Sequence, residues 1–321
     1  GVATGAELFV DYHLELMHPR PPPRWWRARA SLPCEDGYYA CIRQRREREV
    51  FRGASAVRQS GTLSVRQYGP WRVLYFDQTQ QGIVRLRGER HEDGEDVHGI
   101  AVADCRVLGF EYVHCMAMQA VAHAQQQQRR LEGARRCHAL CVGLGSGALP
   151  AYLATDESGM DVVAVEVDPA VVDVAEQHMG VHNMHRMAQY MRRRGAERGA
   201  GTFACVCAEA SHFLEGLVAA AGDEESVERR FDVILLDAYD CAGLVPAHLQ
   251  GGPFLQLCAA ALNVGGKLIA NVFYGQPGTP AGERLGTFMA RLETEVGATS
   301  TVVVDNHPEN IVVVCARGGA L

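Results

Sequence analysis

The sequence has no long run of apolar residues, and this absence excludes a large class of proteins. A membrane-spanning helix needs roughly 20 consecutive apolar residues. Although 47% of the chain is hydrophobic, its apolar segments are short and are interrupted by charged residues. We therefore expect no membrane span. With 321 residues, the chain is long enough for a main domain with a sizeable core and a smaller companion domain.

The sequence is also almost devoid of lysine. Lys267 is the only lysine, so all other positive side chains are arginine, and acidic residues outnumber both types to give a net charge of −7. A negative net charge argues against a nucleic-acid partner that is bound through bulk electrostatics.

Pairs of cysteines with the spacing C-x-x-C are absent, although the chain contains eleven cysteines. Several of them lie inside apolar segments such as CHALC and FACVC. This pattern indicates buried thiols in a reducing compartment, the cytosol or the interior of an organelle, rather than a disulfide framework or a zinc site. His178, His182 and His185 recur at helical spacing but have no suitably spaced acidic or cysteine partner, so we expect no metal.

The stretch at residues 137–169 organises the rest of the chain. It has the pattern of a buried strand, a glycine turn, a helix and a second buried strand that ends at Glu166. Gly143, Gly145 and Gly147 form G-x-G-x-G, and Glu166 follows 19 residues after the last of them. This arrangement is typical of a nucleotide-binding β-α-β unit, with the acid as acceptor for a ribose diol. The alternatives are a glycine turn required by packing alone, and an acid that caps the next helix.

Three regions follow from the pattern of the whole chain. Residues 1–62 form an unassigned extension rich in arginine and proline, in which 43–52 have the charge density of a solvated helix. Residues 63–109 show short alternating segments that are separated by turns, which predicts a small antiparallel β-domain. Residues 110–321 alternate strand and helix signals and predict an α/β, Rossmann-like domain with a seven-stranded sheet that ends in an antiparallel hairpin.

The predicted elements of the third region can be given by number. Its strands are predicted at 139–142, 162–166, 203–207, 232–236, 267–272, 301–304 and 310–314. Helices are predicted at 110–131, after Gly147, from 168 to 179, around 213–218, near 253–262 and at about 282–296. A polar, arginine-rich insertion is expected at 182–201.

The choice between two adenosyl cofactors depends on few residues. NAD sites usually have G-x-G-x-x-G, and the third glycine position is Ala148 here. Glu209 and Asp237 follow two further predicted strands. Acids at these strand ends favour S-adenosylmethionine, which has an adenine amino group and a cationic centre to bind, and no phosphates.

Several motifs resemble one family. The glycine turn, VAVEVDP, AEASHFL and FDVILLDAYD with NVGGKLIAN resemble the spermidine synthase-like branch of class I S-adenosylmethionine-dependent transferases. The upstream YGPWRVLYFDQTQQG is similar to the small N-terminal β-domain of that branch, and the resemblance covers residues 64–315. The segment VGLGSGALPAYL also resembles the elongation-factor lysine and N-terminal methyltransferases of the same branch.

The resemblance implies roles for individual residues. Gln81 and Tyr112 would line the cofactor and acceptor pocket, Glu166 would hold the ribose hydroxyls, and Glu209 with Ala210 would face the adenine amino group. The cofactor turn would consist of Gly143, Gly145, Ser146 and Gly147.

The resemblance also implies where the chemistry takes place. Asp237 and Asp240 match the D-x-x-D of the aminopropyltransferases, in which the first acid lies at the cofactor and helps to deprotonate the attacking amine, and the second holds the acceptor. Tyr239, between them, is expected on the substrate side. A nearby carboxylate suits this task because an amine is nucleophilic only after it loses its proton.

Two departures from the family pattern guide the choice of reaction. Ser146 replaces the aspartate that binds the cationic end of decarboxylated S-adenosylmethionine, and Cys241 replaces a proline after the second acid. We therefore expect an S-adenosylmethionine-dependent methyltransferase that acts on an amine of a small molecule or a protein. The alternatives are an aminopropyltransferase that uses decarboxylated S-adenosylmethionine, and a catalytically weak subunit of a larger complex. By analogy with the family, a homodimer is compatible with either enzyme.

Overall fold

The structure is a computed structural model, and it describes residues 47–57, 61–87, 102–130, 135–155, 157–182, 184–185, 201–220, 230–240, 243–275, 278–304 and 310–318. The arginine- and proline-rich part of the extension up to residue 46 lies outside these ranges, as do most of the predicted insertion at 182–201 and Cys241. In the described part, none of the helices is long and apolar enough to cross a membrane.

The N-terminal part folds as a five-stranded antiparallel sheet in sequential order. Its strands are β1 (Arg48–Ala54), β2 (Thr62–Tyr68), β3 (Trp71–Phe76), β4 (Thr79–Arg87) and β5 (Val102–Ala103). All six residues of β3 are buried, because this strand lies in the middle of the sheet and packs into the main core. The predicted small β-domain is thus present.

The C-terminal part contains an eight-stranded sheet. Its strands are β6 (His138–Val142), β7 (Asp161–Glu166), β8 (Met184–His185), β9 (Phe203–Cys207), β10 (Phe231–Leu236), β11 (Leu262–Phe273), β12 (Thr299–Val303) and β13 (Asn310–Ala316). They lie in the order β12-β13-β11-β10-β6-β7-β9-β8. The last six in this order are parallel, and β13 is antiparallel to both β11 and β12. The chain leaves β6 towards β7 on one side and later returns to β10 on the other, so the topological switch point lies between β6 and β10.

Helices cover both faces of this sheet. They are α1 (Glu111–Arg130), α2 (Ala148–Leu153), α3 (Pro169–Gln177), α4 (Ala210–Ala219), α5 (Gly252–Ala261) and α6 (Pro280–Glu295). The central strands β6, β7 and β10 are buried along their whole length, and their polar residues lie only at or near their ends, as expected for parallel strands that are covered on both faces. One core joins α1 to the β-domain, and a second core packs α5 and α6 against the opposite face.

The Rossmann-like fold class is confirmed, and the seven predicted strands are all present. The structure adds the two-residue edge strand β8 within the segment predicted as a polar insertion. One prediction is wrong: residues 48–52 do not belong to a helix but to β1, which pairs with β2. The β-sheet therefore extends back to Arg48, into the region of 1–62 that the sequence left unassigned. A register shift between Glu49 and Phe51 interrupts the alternation that would have indicated a strand.

Candidate active site

The glycine turn lies at the switch point, directly after β6. Gly143, Gly145 and Gly147 all have positive φ angles, of 95°, 53° and 76°. A Cβ atom at Gly143 would lie 2.4 Å from the backbone oxygen of Asp237, and one at Gly145 would lie 2.9 Å from the backbone oxygen of Gln81. Backbone packing thus accounts for glycine at both positions. A ligand at this turn would therefore be recognised by other groups around it.

Glu166 ends β7 and holds the glycine turn in place. Its Oε2 accepts a hydrogen bond from the N–H of Leu144 at 2.9 Å, and its Oε1 accepts one from the N–H of Asp168 at 3.0 Å. Burial raises the pKa of Glu166, and these backbone donors act in the opposite direction. Each carboxylate oxygen can accept a further bond, so the side chain remains able to bind hydroxyl groups. Asp168, rather than Glu166, caps α3 by accepting from the N–H of Ala170.

Ser146 connects the glycine turn to the β-domain. Its hydroxyl donates to the backbone oxygen of Ile83 at 3.3 Å, and the residue is buried. The neighbouring Gly82 is so close that a Cβ atom there would lie 2.7 Å from the N atom of Ser146. Strand β4 therefore forms one wall of the site.

Asp237 follows β10 at the switch point, where its N–H donates to the backbone oxygen of Val142 at 3.0 Å. Its Oδ1 accepts a hydrogen bond from Asn271 Nδ2 at 3.1 Å, while Asn310 Nδ2 donates to Asn271 Oδ1 at 2.9 Å. The second contact fixes the orientation of the Asn271 amide, so its NH₂ group must point at Asp237. Burial raises the pKa of Asp237 to about 6, and the bond from Asn271 limits this rise.

Two tyrosines flank this carboxylate. Burial, together with the negative charge of Asp237, raises the pKa of both Tyr112 and Tyr239. The hydroxyl of Tyr239 donates to the backbone oxygen of Asn271 at 2.8 Å, and its ring packs edge-on against Phe273. Both tyrosines therefore remain protonated and neutral at physiological pH.

Asp240 takes part in the loop that follows. Its Oδ1 accepts from the N–H of Leu244 at 2.9 Å, and its backbone oxygen accepts from Gln81 Nε2 at 3.4 Å. The predicted second acid thus bonds the backbone of Leu244, and Gln81 connects Asp240 to β4.

Glu209 caps the N-terminus of α4. It accepts from the N–H of His212 at 3.0 Å and lies 3.3 Å from His248 Nε2. Burial alone would raise its pKa, but the backbone donors of Ser211 and His212 and the neighbouring His248 together lower it. Glu209 is therefore ionised at neutral pH. The next residue, Ala210, is buried beside it.

These elements surround one cavity of about 410 Å³, a size within the usual range for small-molecule sites. Of the residues predicted for the site, the cavity wall includes Gln81, Tyr112, Gly143, Gly145, Ser146, Glu166, Glu209, Ala210, Asp237, Tyr239 and Asp240. Gly147 is not part of the wall, because it begins α2 and packs against Val181.

The cavity wall is acidic. Glu166, Glu209, Asp237 and Asp240 contribute four carboxylates, and His248 is the one basic side chain among the described lining residues. Such a wall favours a cationic ligand. Among the described residues, no group of three or more His, Cys, Asp or Glu side chains is arranged to hold a metal ion.

The wall also contains residues that were not predicted for the site, among them Val57, His248, Asn271 and Asn310. Asn271 lies in the NVGGKLIAN motif, so a signal for it was present in the sequence. Val57 lies in the region that the sequence left unassigned, and no motif indicated it.

Comparison with known proteins places this geometry in context. No protein-family model matches the sequence. A curated polyamine aminopropyltransferase of Vibrio vulnificus (strain CMCP6) is 29% identical over 143 aligned residues. The alignment covers 42% of this chain and only 37% of that protein.

Two solved structures share the fold. A spermidine synthase in complex with the transition-state analogue AdoDATO has a TM-score of 0.51 and 16% identity, over 84% of this chain and 74% of its own. A probable spermidine synthase from Corynebacterium glutamicum ATCC 13032 has a TM-score of 0.55 and 13% identity, over 84% of this chain and 79% of its own. The chain therefore has the spermidine synthase-like, class I S-adenosylmethionine-dependent transferase fold.

Proposed function

We propose that this protein transfers an aminopropyl group from decarboxylated S-adenosylmethionine to an amine. The observation that carries the proposal is the charge of the cavity wall. Four carboxylates face a space in which the described wall contains no lysine or arginine. The decarboxylated donor has a sulfonium and an ammonium group, and an amine acceptor adds more positive charge, so all the ligands complement this wall.

The fit of the donor rests on this chain's own groups. Glu166 keeps free acceptor capacity for a ribose diol, and Glu209, which follows the neighbouring strand β9, lines the same cavity as an ionised acceptor. The intact methionine group of S-adenosylmethionine would bring a carboxylate into the same acidic space, and the one basic side chain of the described wall, His248, already lies 3.3 Å from Glu209. The 29% identity to an aminopropyltransferase supports the same choice.

Asp237 is the proposed general base. In the reaction, the amine lone pair forms a C–N bond to the carbon beside the sulfonium while the C–S bond breaks, and its electrons leave with a neutral thioether. The amine must first lose a proton, and Asp237 accepts it. A pKa of about 6 suits this task because the group is ionised at neutral pH and remains basic enough to take the proton.

Methyl transfer from S-adenosylmethionine, the reaction expected from the sequence, is a second candidate. The observation in its favour is Ser146, whose hydroxyl bonds the backbone of Ile83 and supplies no charge to a donor ammonium group. The third sequence hypothesis, a catalytically weak subunit, predicts side chains that fill the space beside Gly145 and Glu166. The open cavity at this place argues against it.

The choice of donor can be tested by calorimetry and product analysis. We expect decarboxylated S-adenosylmethionine to bind at least tenfold more tightly than S-adenosylmethionine, about 1.4 kcal/mol. With a mixture of diamines and polyamines as acceptors, we expect methylthioadenosine as the nucleoside product. Tighter binding of S-adenosylmethionine together with release of S-adenosylhomocysteine would instead establish methyl transfer. If neither donor binds, the proposed function is wrong.

The role of Asn271 provides a prediction on pH dependence. In the wild type, we expect the rate to increase with pH through about 6, as Asp237 loses its proton, and then to level off. Asn271→Ala removes a hydrogen bond that favours the charged carboxylate, so this limb should move to higher pH by roughly one unit. The measurement is kcat/KM between pH 5 and pH 9.

Asn263→Ala is the matched control for this experiment. Asn263 Nδ2 makes the same kind of bond, at 2.8 Å to Asp232 Oδ1, but at the opposite end of β10. Its pH profile should coincide with that of the wild type. An unmoved profile in Asn271→Ala would exclude Asp237 as the titrating group.

A further inference from the structure

The segment at residues 55–57 reaches from the end of β1 to the edge of the cavity. The hydroxyl of Ser55 donates to Asp168 Oδ2, and the N–H of Ala56 donates to Asp168 Oδ1 at 3.2 Å. The same hydroxyl accepts from the N–H of Val57 at 3.0 Å, which fixes the turn of the segment. One buried carboxylate therefore anchors this part of the extension to the main domain.

Asp168 is connected directly to the proposed ribose acceptor. Its N–H donates to Glu166 Oε1, and its Oδ1 also accepts from the N–H of Ala170 at 2.9 Å to cap α3. A shift of Asp168 would therefore move one of the two backbone donors that orient the Glu166 carboxylate. Asp168 is thus the one residue between Ser55 and Glu166 in this series of hydrogen bonds.

A second contact fixes the same segment at the other end of α3. The ring of Phe51 in β1 stacks on His178, with ring centroids 4.5 Å apart and an angle of 25° between the planes. His178 is the residue that follows α3. The strand before the segment thus contacts the end of α3, while the segment itself contacts its beginning.

Val57 brings the segment into the cavity wall. It lines the same space as Glu166 and as Val167, whose residue surface is 50% exposed. The end of the cavity that contains the ribose acceptor thus has apolar surface from both the segment and the loop after β7. Neither the resemblance nor the glycine motif assigns a function to this segment.

We propose that Ser55 is a positioning residue for the donor: it docks residues 55–57 on Asp168, orients Glu166 towards the donor ribose and places Val57 in the wall of the donor pocket. This inference rests on the proposed function, because it assumes that an adenosyl group occupies this end of the cavity. The segment is then part of the donor site, and the acceptor side, at Asp237 and Tyr239, does not depend on it.

The test measures the adenosyl half alone, with methylthioadenosine as the probe in calorimetry. Ser55→Ala should raise the Kd of the probe and the KM of the donor about tenfold, the scale of one lost hydrogen bond to a charged group. At saturating donor, kcat and the KM of the amine should remain within about twofold of the wild type. Ser55→Thr keeps the hydroxyl and should restore tight binding.

Ser64→Ala is the control within the β-domain. Ser64 is more deeply buried than the half-buried Ser55, and its hydroxyl has no hydrogen-bond partner in the described part of the chain. Its Kd should not change. Val57→Ala leaves the anchor on Asp168 intact and should weaken binding about threefold, which keeps the test decisive if Ser55→Ala does not fold.

The outcomes separate this inference from the proposed function. If the wild type binds the probe and neither Ser55→Ala nor Val57→Ala binds it more weakly, the inference is wrong and the proposed function stands. If Ser55→Ala lowered kcat and also raised the KM of the amine, the substitution would have disturbed the whole site. That result would also overturn the inference. If the wild type does not bind methylthioadenosine at all, both are wrong.

Discussion

Replacing Asp237 by asparagine is expected to lower kcat about a thousandfold, the middle of the range for loss of a general base. The side chain keeps its shape, and its Oδ1 can still accept the bond from Asn271, so the cavity should retain its geometry. What is lost is the ability to take a proton from the amine. The measurement is the rate of thioether nucleoside release at saturating donor and amine.

Stability provides the internal control for this variant. The pKa of Asp237 is raised to about 6 by burial, so its contribution to stability is present at low pH and is lost as pH rises through 6. The cost of the buried charge reaches at most roughly 3 kcal/mol above that pH. Asp237→Asn removes it, so the free energy of unfolding at pH 8 should exceed that of the wild type, and this difference should shrink towards pH 4.

Asp173→Asn makes the same chemical change on the exposed face of α3, outside the cavity. It should alter neither the rate nor the stability. A variant at Asp237 that is well folded and retains a kcat within about threefold of the wild type would remove this carboxylate from the chemistry.

The main domain was predictable because its signals are local. A buried strand, a turn with positive φ angles and a helix follow each other within 137–169, and each element can be identified from neighbouring residues. Strand β1 was not predictable in this way. Its residues are dense in charge, a register shift breaks their alternation, and their partner β2 supplies the hydrogen bonds that make them a strand.

The residues that line the cavity were easier to predict from the sequence than the hydrogen bonds that these residues make. Ser146 and Asp240 both line the cavity, yet the hydroxyl of Ser146 bonds Ile83 and the carboxylate of Asp240 bonds the N–H of Leu244. These partners come from β4 and from a loop, and no spacing in the sequence specifies them. The contact of Asn271 with Asp237 is equally hidden in the sequence, because it depends on the pairing of β11 with β10.

The sequence pattern of the glycine turn suggests a role in ligand binding, but the structure shows that its glycines allow close packing of backbone segments. A Cβ atom at Gly143 would collide with the backbone of Asp237, and one at Gly145 would approach the backbone of Gln81. The glycines therefore allow β6, β10 and β4 to converge, and this convergence creates the cavity. The acidic wall, rather than the glycine motif, then carries the argument for a cationic donor.

Gly143→Ala should therefore affect both stability and chemistry. The residue has a φ angle of 95°, and the new methyl group would lie 2.4 Å from the Asp237 backbone oxygen, which is less than any real contact of this kind. Strain of about 1–2 kcal/mol adds to an overpacking cost of about 1–3 kcal/mol. The contact between the new methyl group and the backbone oxygen can be relieved only if Asp237 moves. We therefore expect kcat to fall at least about a hundredfold. Urea unfolding and turnover measure the two effects.

Gly265→Ala separates strain from displacement. Gly265 has a similar positive φ angle, of 75°, but a Cβ atom there would meet nothing within 4 Å. This variant should lose about 1–2 kcal/mol in the free energy of unfolding, from strain alone, and should keep its full kcat. If Gly143→Ala matched it in both measurements, the turn would tolerate a side chain, and the backbone of Asp237 would not be held by the glycine. A loss of kcat confined to Gly143→Ala would instead show that the turn positions the proposed base.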